Sequence, residues 1–160
     1  MTRRAASAIA IATTPARGVV GHVPQGHWTT ITFVAALRRD GMTAPQTIDG
    51  SMTVKKFLAY VEQCLAPTLK RKDLVMIDNL PAHKAAGVRE AIEARGAKLR
   101  YLPKYSPDLN PIEMSFSKLK ADLRKAAERT IPRLRRRIGR FARTLTSREA
   151  SNYFSHAGYA

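Results

Sequence analysis

The run Leu74-Val-Met-Ile77 is apolar at every position and stops at Asp78-Asn79-Leu80-Pro81. A strand that alternates apolar and polar residues can leave one face in water. One that does not alternate is buried on both faces, so other layers must cover its sheet from both sides. The flanking sequence supplies such layers. Upstream, Val54, Phe57, Leu58, Val61 and Leu65 recur at helical spacing behind a cap at Ser51 or Thr53, and Pro67 lies just beyond the end. Downstream, a helix is expected to start at His83 or Lys84, turn Val88 and Ile92 inward and close at Gly96. Residues 98–102, KLRYL, read as another strand. This order of strand, helix, strand, helix and strand predicts an α/β architecture with parallel strands and right-handed crossovers.

The N-terminal part has a different pattern. Residues 29–37, TTITFVAAL, are rich in β-branched side chains and lead to Arg38-Arg39-Asp40-Gly41, where Asp-Gly marks a turn. Residues 44–50 return, so 29–49 is expected to be an antiparallel hairpin. Residues 3–12 hold a short Ala-rich stretch without a convincing cleavage site, which reads as a strand or a frayed terminus. No apolar run approaches the roughly 18 residues of a membrane span, so no membrane is expected. The single cysteine, Cys64, cannot close an internal disulfide, and the chain reads as cytoplasmic. With 160 residues, 44% of them hydrophobic, one domain over 1–160 is expected, with 1–17 atypical or frayed.

Residues 114–160 are expected to form basic helices. Ile112, Phe116, Leu119 and Leu123 mark the inner face of one; Leu134, Ile138, Phe141 and Leu145 mark that of the next. Thr146-x-x-Glu149 has the form of a capping box for a last short helix. Lys and Arg number 28 against 12 Asp and Glu, for a net charge of +16, which attracts polyanions. Residues 114–150 alone carry 12 basic and 3 acidic side chains. A merely solvated helix face usually mixes its signs, and this one does not. Lys118, Lys120, Arg124, Arg133, Arg136, Arg137 and Arg140 are therefore candidates for contact with DNA phosphates.

Two carboxylates stand out. Open α/β sheets bind ligands beyond the carboxyl ends of their strands. Asp78 ends such a strand, and Glu113 begins a helix that could pack beside it. Two carboxylates brought together repel unless a cation lies between them, and hard oxygen donors select Mg²⁺ or Mn²⁺. A plainer reading stands beside this one. Asn110-Pro111-Ile112-Glu113 fits Ncap, N1, N2 and N3, with Glu113 reaching back, and Asp78-Asn79 fits an Asx turn. Spacing does not choose between them.

The wording of the two segments adds more. VMIDNLPAHKA and LPKYSPDLNPIEMSFSKLK together resemble the catalytic core of DDE transposases of the mariner superfamily, in its bacterial insertion-sequence branch. That branch has Asp-Asn at a strand end, His five residues after the Asp, and a Tyr-Ser-Pro-x-Leu-Asn-Pro-Ile-Glu segment downstream. Here 34 residues separate Asp78 from Glu113. GHWTTITFVAALRRDGMTAP and NYFSHAGYA also resemble it, so the likeness covers residues 18–160. It implies an RNase H-like fold, a mixed sheet flanked by helices, and a two-metal site for Mg²⁺ or Mn²⁺. In that site Asp78 matches the second metal-binding carboxylate and Glu113 the third. Asn79, His83 and Asn110 match positions that orient the site. DNA is the implied partner, with a homodimer or an intact transposase beside it, in a nucleoid-associated bacterial setting.

The likeness also fails at one point. The family's first catalytic Asp lies on the first strand, upstream of the segment matching His27-Trp28, and residues 1–27 contain no acid. Asp40, at a hairpin tip, and Asp49, before a helix, are the remaining candidates. The family's helix-turn-helix region has no counterpart either. A truncated or frame-shifted reading frame is the expectation. Two functions follow from different classes. One is a metal-dependent transposase catalytic domain that cleaves and rejoins DNA, incomplete here. The other is a non-catalytic DNA-binding remnant that interferes with an intact transposase.

Overall fold

The apolar run ending at Asp78 forms the fourth strand of a mixed five-stranded sheet. The structure is a computed structural model that describes residues 8–16 and 31–159, with the backbone alone for 13–16. The strands are β1 (Ala8–Ala16), β2 (Ile31–Arg38), β3 (Gly41–Asp49), β4 (Leu74–Ile77) and β5 (Lys98–Tyr101), in the order β3-β2-β1-β4-β5. β2 and β3 make the expected antiparallel hairpin across Arg39-Asp40. β1 pairs antiparallel with β2 and parallel with β4, and β5 continues the parallel half. β1 is the middle strand; of residues 3–12, expected to be a strand or a frayed terminus, 8–12 belong to it and 3–7 lie outside the described residues. Pro45 falls on β3, the sheet edge, where a missing N–H removes no ladder bond. His27 and Trp28 lie outside the described residues.

Alternation along the strands divides the core in two. Ala10, Ala12, Phe33, Leu37 and Met76 point to one side, where Phe116, Leu119, Ile138 and Phe154 cover them. These come from α3 (Ile112–Ala126), α4 (Ile131–Thr144) and α5 (Ser147–His156). Ile9, Ile11, Val34, Val75 and Ile77 point to the other side, against Phe57, Val61, Leu65, Val88 and Ile92. Those belong to α1 (Val54–Tyr60) with the turns after it, and to α2 (Val88–Glu93). Both faces of β4 are thus covered, as its composition requires. The inner faces expected for α3 and α4 are all buried, and Thr146 with Glu149 closes the expected capping box on α5.

The other two helices depart from expectation. Thr53 caps α1 by accepting from the Lys56 N–H, but Val54 is exposed rather than inward. The helix then runs on as a π-type turn over Val61–Leu65 and a 3₁₀ turn over Ala66–Thr68 that contains Pro67. Near its start that short turn has no need of the proline's missing N–H. α2 starts at Val88, not at His83 or Lys84. Pro81–Lys84 form a 3₁₀ turn instead, and Gly87, at φ 94°, separates the two. A side chain at Gly87 would be strained in that conformation and would press on Leu58 Cδ1 at 3.2 Å.

A buried ion pair ties the hairpin to the parallel half. Arg38 donates to Asp73 Oδ2 at 2.7 Å and to the Thr68 carbonyl at 2.8 Å, and the Lys70 N–H donates to the same carboxylate at 2.8 Å. Asp73→Ala removes one partner and leaves a buried guanidinium. The expected loss is about 3–5 kcal/mol in urea unfolding. A loss below about 1 kcal/mol would show that water reaches the pair.

Candidate functional site

Asp78 leaves the carboxyl end of β4 directly into the Pro81–Lys84 turn, which brings His83 back over it. His83 is 1% exposed. Its ring lies against Phe57 at 4.2 Å between centroids, and its Nδ1 hydrogen-bonds to Asp78 Oδ1. Tyr101 Oη donates to the His83 carbonyl at 3.0 Å. One oxygen of Asp78 is therefore fixed by a ring that is itself locked by packing. Phe57, beneath that ring, was not singled out from the sequence, because its helical spacing explains it fully as core.

Glu113 stands in the first turn of α3, where the capping reading can be tested. Asn110 does not cap that helix. Its Nδ2 donates across 99 residues of sequence to the Ile11 carbonyl on β1 at 3.2 Å, and α3 has no side-chain cap. The amide nitrogen fastens the 107–110 loop to the central strand, while the Oδ1 that a cap would use accepts no hydrogen bond among the described residues. The segment does start a helix, but without the side-chain caps that the plainer reading gives to Asn110 and Glu113. Glu113 is half-buried and accepts no backbone hydrogen bond among the described residues. Burial raises its pKa above the ordinary carboxylate value, and the Asp78 charge raises it further; Lys120 opposes both.

The two carboxylates thus sense one another. They line a single cleft of about 530 Å³, together with Asn79, Asn110, Lys84 and Tyr105. Asn79 Oδ1 and Asn110 Oδ1 are buried there without a hydrogen-bond partner among the described residues. Carboxylate and amide oxygens are hard donors of the kind Mg²⁺ or Mn²⁺ takes, and a cation would relieve the Glu113–Asp78 repulsion. The donor set fits one such ion. Among the described residues no three His, Cys, Asp or Glu side chains are placed to hold a metal, so such an ion would rest on this pair and the amide oxygens.

Ile11 pairs with Ile77, so Ala12 stands level with Asp78 on the neighbouring strand and faces the same side as α3. Asp40 sits at the opposite end of the sheet, past the Leu37–Ala10 pair. Asp49 is at the near end but on the edge strand, two strands from β1, where it pairs with Arg135.

Not all of the basic candidates are equally available. Arg137 is held by Asp122 through Nε at 2.8 Å and Nη2 at 3.0 Å, and lies 3.7 Å from Glu128. Lys118 pairs with Glu149. Lys120, Arg124, Arg133, Arg136 and Arg140 are exposed, with no ion pair among the described residues.

The raised pKa has a consequence for stability. In the unfolded chain Glu113 titrates at its ordinary value; in the fold it holds its proton to higher pH. The folded state then binds more protons in that window, so Glu113 makes stability fall as pH rises through it. Glu113→Gln is expected to remove that fall and to raise the melting temperature at pH 7 without divalent ions. A lower melting temperature for Glu113→Gln at pH 7 would show that the carboxylate has a favourable partner.

A family model described as DDE superfamily endonuclease matches residues 14–135. Among solved structures, the chain is similar to Mos1 transposase in a pre-cleavage transpososome, at TM-score 0.76 and 12% identity, over 92% of this chain and 52% of that one. It is also similar to the catalytic domain of Mos1 mariner transposase, at TM-score 0.73 and 12% identity, over 96% and 78%. A Mos1 catalytic domain with raltegravir and Mg gives TM-score 0.75 and 13% identity, over 92% and 76%. The chain therefore spans about half of the transposase in the transpososome and about three quarters of its catalytic domain. These likenesses show an RNase H-like fold. No curated protein matches the sequence.

Proposed function

The chain belongs to the DDE superfamily endonuclease family, and from that premise we propose that it is the metal-binding, DNA-contacting part of a bacterial insertion-sequence transposase. One observation supports this above all: Asp78 and Glu113 meet in one cleft, and neither is used by a helix cap. When bound, a divalent cation would lower the pKa of a coordinated water and stabilise a leaving oxygen in phosphodiester chemistry. Asp78 and Glu113 would hold it. His83 keeps Asp78 in one orientation through Oδ1, and Asn110 holds the loop that presents Glu113 against β1. The basic face of α3 and α4 would bring DNA phosphates to the cleft. The Mos1 structures include complexes with transposon ends, and a paired assembly of this chain with itself or with an intact transposase belongs to the same proposal.

Ala12 favours a second reading for the isolated chain, that of a DNA-binding remnant without chemistry. Only the first reading requires the carboxylate pair to take a cation. In a titration followed by electron paramagnetic resonance, Mn²⁺ is expected to bind the full chain weakly, and more tightly with duplex DNA present. Asp78→Asn or Glu113→Gln is expected to weaken binding by at least about tenfold, since each removes one of two charged ligands. Unchanged Mn²⁺ affinity in both variants would mean that the pair is not a metal site.

A further inference from the structure

Tyr105 is 99% exposed. Its backbone is left-handed at φ 57°, a conformation disfavoured for any residue with a Cβ. Strain of this kind persists where the surrounding chain imposes it, and it clusters at ligand sites. Among the described residues no hydrogen bond or ring contact of this side chain accounts for it.

Tyr105 lines the cleft that holds Asp78 and Glu113. Leu80, 48% exposed, and Pro81, Pro103 and Pro107 line it too. The basic groups there are Lys84 and Lys104. A phosphodiester needs cations and N–H donors, and apolar walls contribute nothing to it. A nucleobase has two flat faces that gain from such walls, and aromatic stacking accepts any base. The volume of about 530 Å³ lies within the roughly 300–1,000 Å³ of small-ligand sites.

We propose that Tyr105 and the apolar wall around it stack an unpaired nucleobase, so that the preferred DNA has a frayed or single-stranded end. A base inside a duplex is already stacked on its neighbours and cannot offer its face to this ring. Lys84 and Lys104 then take the phosphates on either side of the captured nucleotide. The inference rests on the nucleic-acid reading above and deepens it, by naming the form of DNA that the cleft takes.

The test uses the full chain in EDTA, so that no chemistry intervenes. Three fluorescent probes are compared by anisotropy: a blunt duplex, the same duplex with a short single-stranded 3′ overhang, and a single strand. A fourth carries 2-aminopurine in the overhang. The overhang duplex is expected to bind about 5- to 150-fold tighter than the blunt one, the span of one stacked base, with quenching of 2-aminopurine. Tyr105→Ala removes the quenching and brings the overhang duplex to the same affinity as the blunt one. Tyr105→Phe retains the preference and the quenching. Equal affinity for blunt and overhang duplexes, or a preference that survives Tyr105→Ala, overturns the inference and leaves duplex binding intact as support for the function proposed. Binding of single strand through Tyr105 with no binding of duplex would overturn that function and uphold the stacking site. Binding of none of the probes overturns both.

Discussion

Incubated with supercoiled plasmid in Mg²⁺ or in Mn²⁺, the purified chain is expected to leave the DNA uncut. Cleavage of a phosphodiester with two cations needs ligands that hold them roughly 3.5–4 Å apart around one phosphate. Asp78 and Glu113 offer one carboxylate each, and Asp78 already spends one oxygen on His83. Mg²⁺ gives up its waters reluctantly, so two carboxylates alone position it poorly. Misplacement by about 1 Å costs on the order of 10²-fold in rate, which puts nicking below detection. The register identifies the residue to change. Ala12 is level with Asp78 and faces the side from which Glu113 comes. Ala12→Asp adds a third carboxylate at a buried position, so without divalent ions its melting temperature is expected to fall. Mn²⁺ is then expected to restore it, because binding to the folded state alone stabilises that state. Nicking is expected to appear in Ala12→Asp and to vanish again when Glu113→Gln is added. Nicking by the unmodified chain that Glu113→Gln abolishes would sink this account and send attention back to Asp40 and Asp49. An Ala12→Asp chain that stays folded yet shows no thermal response to Mn²⁺ would mean that position 12 is not part of the site.

How far the sequence could be read depended on the range of each interaction. The apolar run of β4 needed cover on both faces, and the helices that cover it carry their faces openly in Phe116, Leu119, Leu134 and Ile138. The Thr146–Glu149 box was equally legible, since both partners lie within one turn. Asn110 looked the same and behaved otherwise: its Nδ2 is held by the Ile11 carbonyl 99 residues away, and its Oδ1 caps nothing. Nothing local records that distant partner. The start of α2 was misplaced for a related reason. His83 suits a helix start by composition, but its side chain is drawn to Asp78, and Gly87 restarts the chain only at Val88. In the candidate site, Asp78 and Glu113 were visible as residues. That they share a cleft, and that Tyr105 and Lys84 line it with them, depends on how β4, β5 and α3 pack. The charge of the C-terminal helices was plain, but its division into paired and unpaired arginines was not, because Asp122 lies a helix away from Arg137.

That division carries the second large effect. Leu134, Ile138 and Phe141 fix the buried side of α4, which leaves Arg133, Arg136 and Arg140 exposed at spacings of three and four, along one stripe. Each phosphate contact releases condensed counterions and adds about 0.9 to the slope of log affinity against log salt for duplex DNA. Replacing all three by Ala is expected to lower that slope by about 2.7 and affinity by roughly 10²-fold at physiological salt. Arg137 is the internal control. Its guanidinium is engaged at two points by Asp122, and the hydrogen bond lowers the Asp122 pKa below the usual carboxylate range. A phosphate would have to displace that carboxylate, so Arg137→Ala is expected to change the slope by less than half of one contact. Salt titrations by anisotropy on a blunt duplex read both variants directly. An unchanged slope in the triple variant would move the DNA to another face, with Lys120 and Arg124 on α3 the first to test. A full loss of slope in Arg137→Ala would mean that the Asp122 pair opens on DNA, and that the two helices present a different charge pattern to the bound duplex than to solvent.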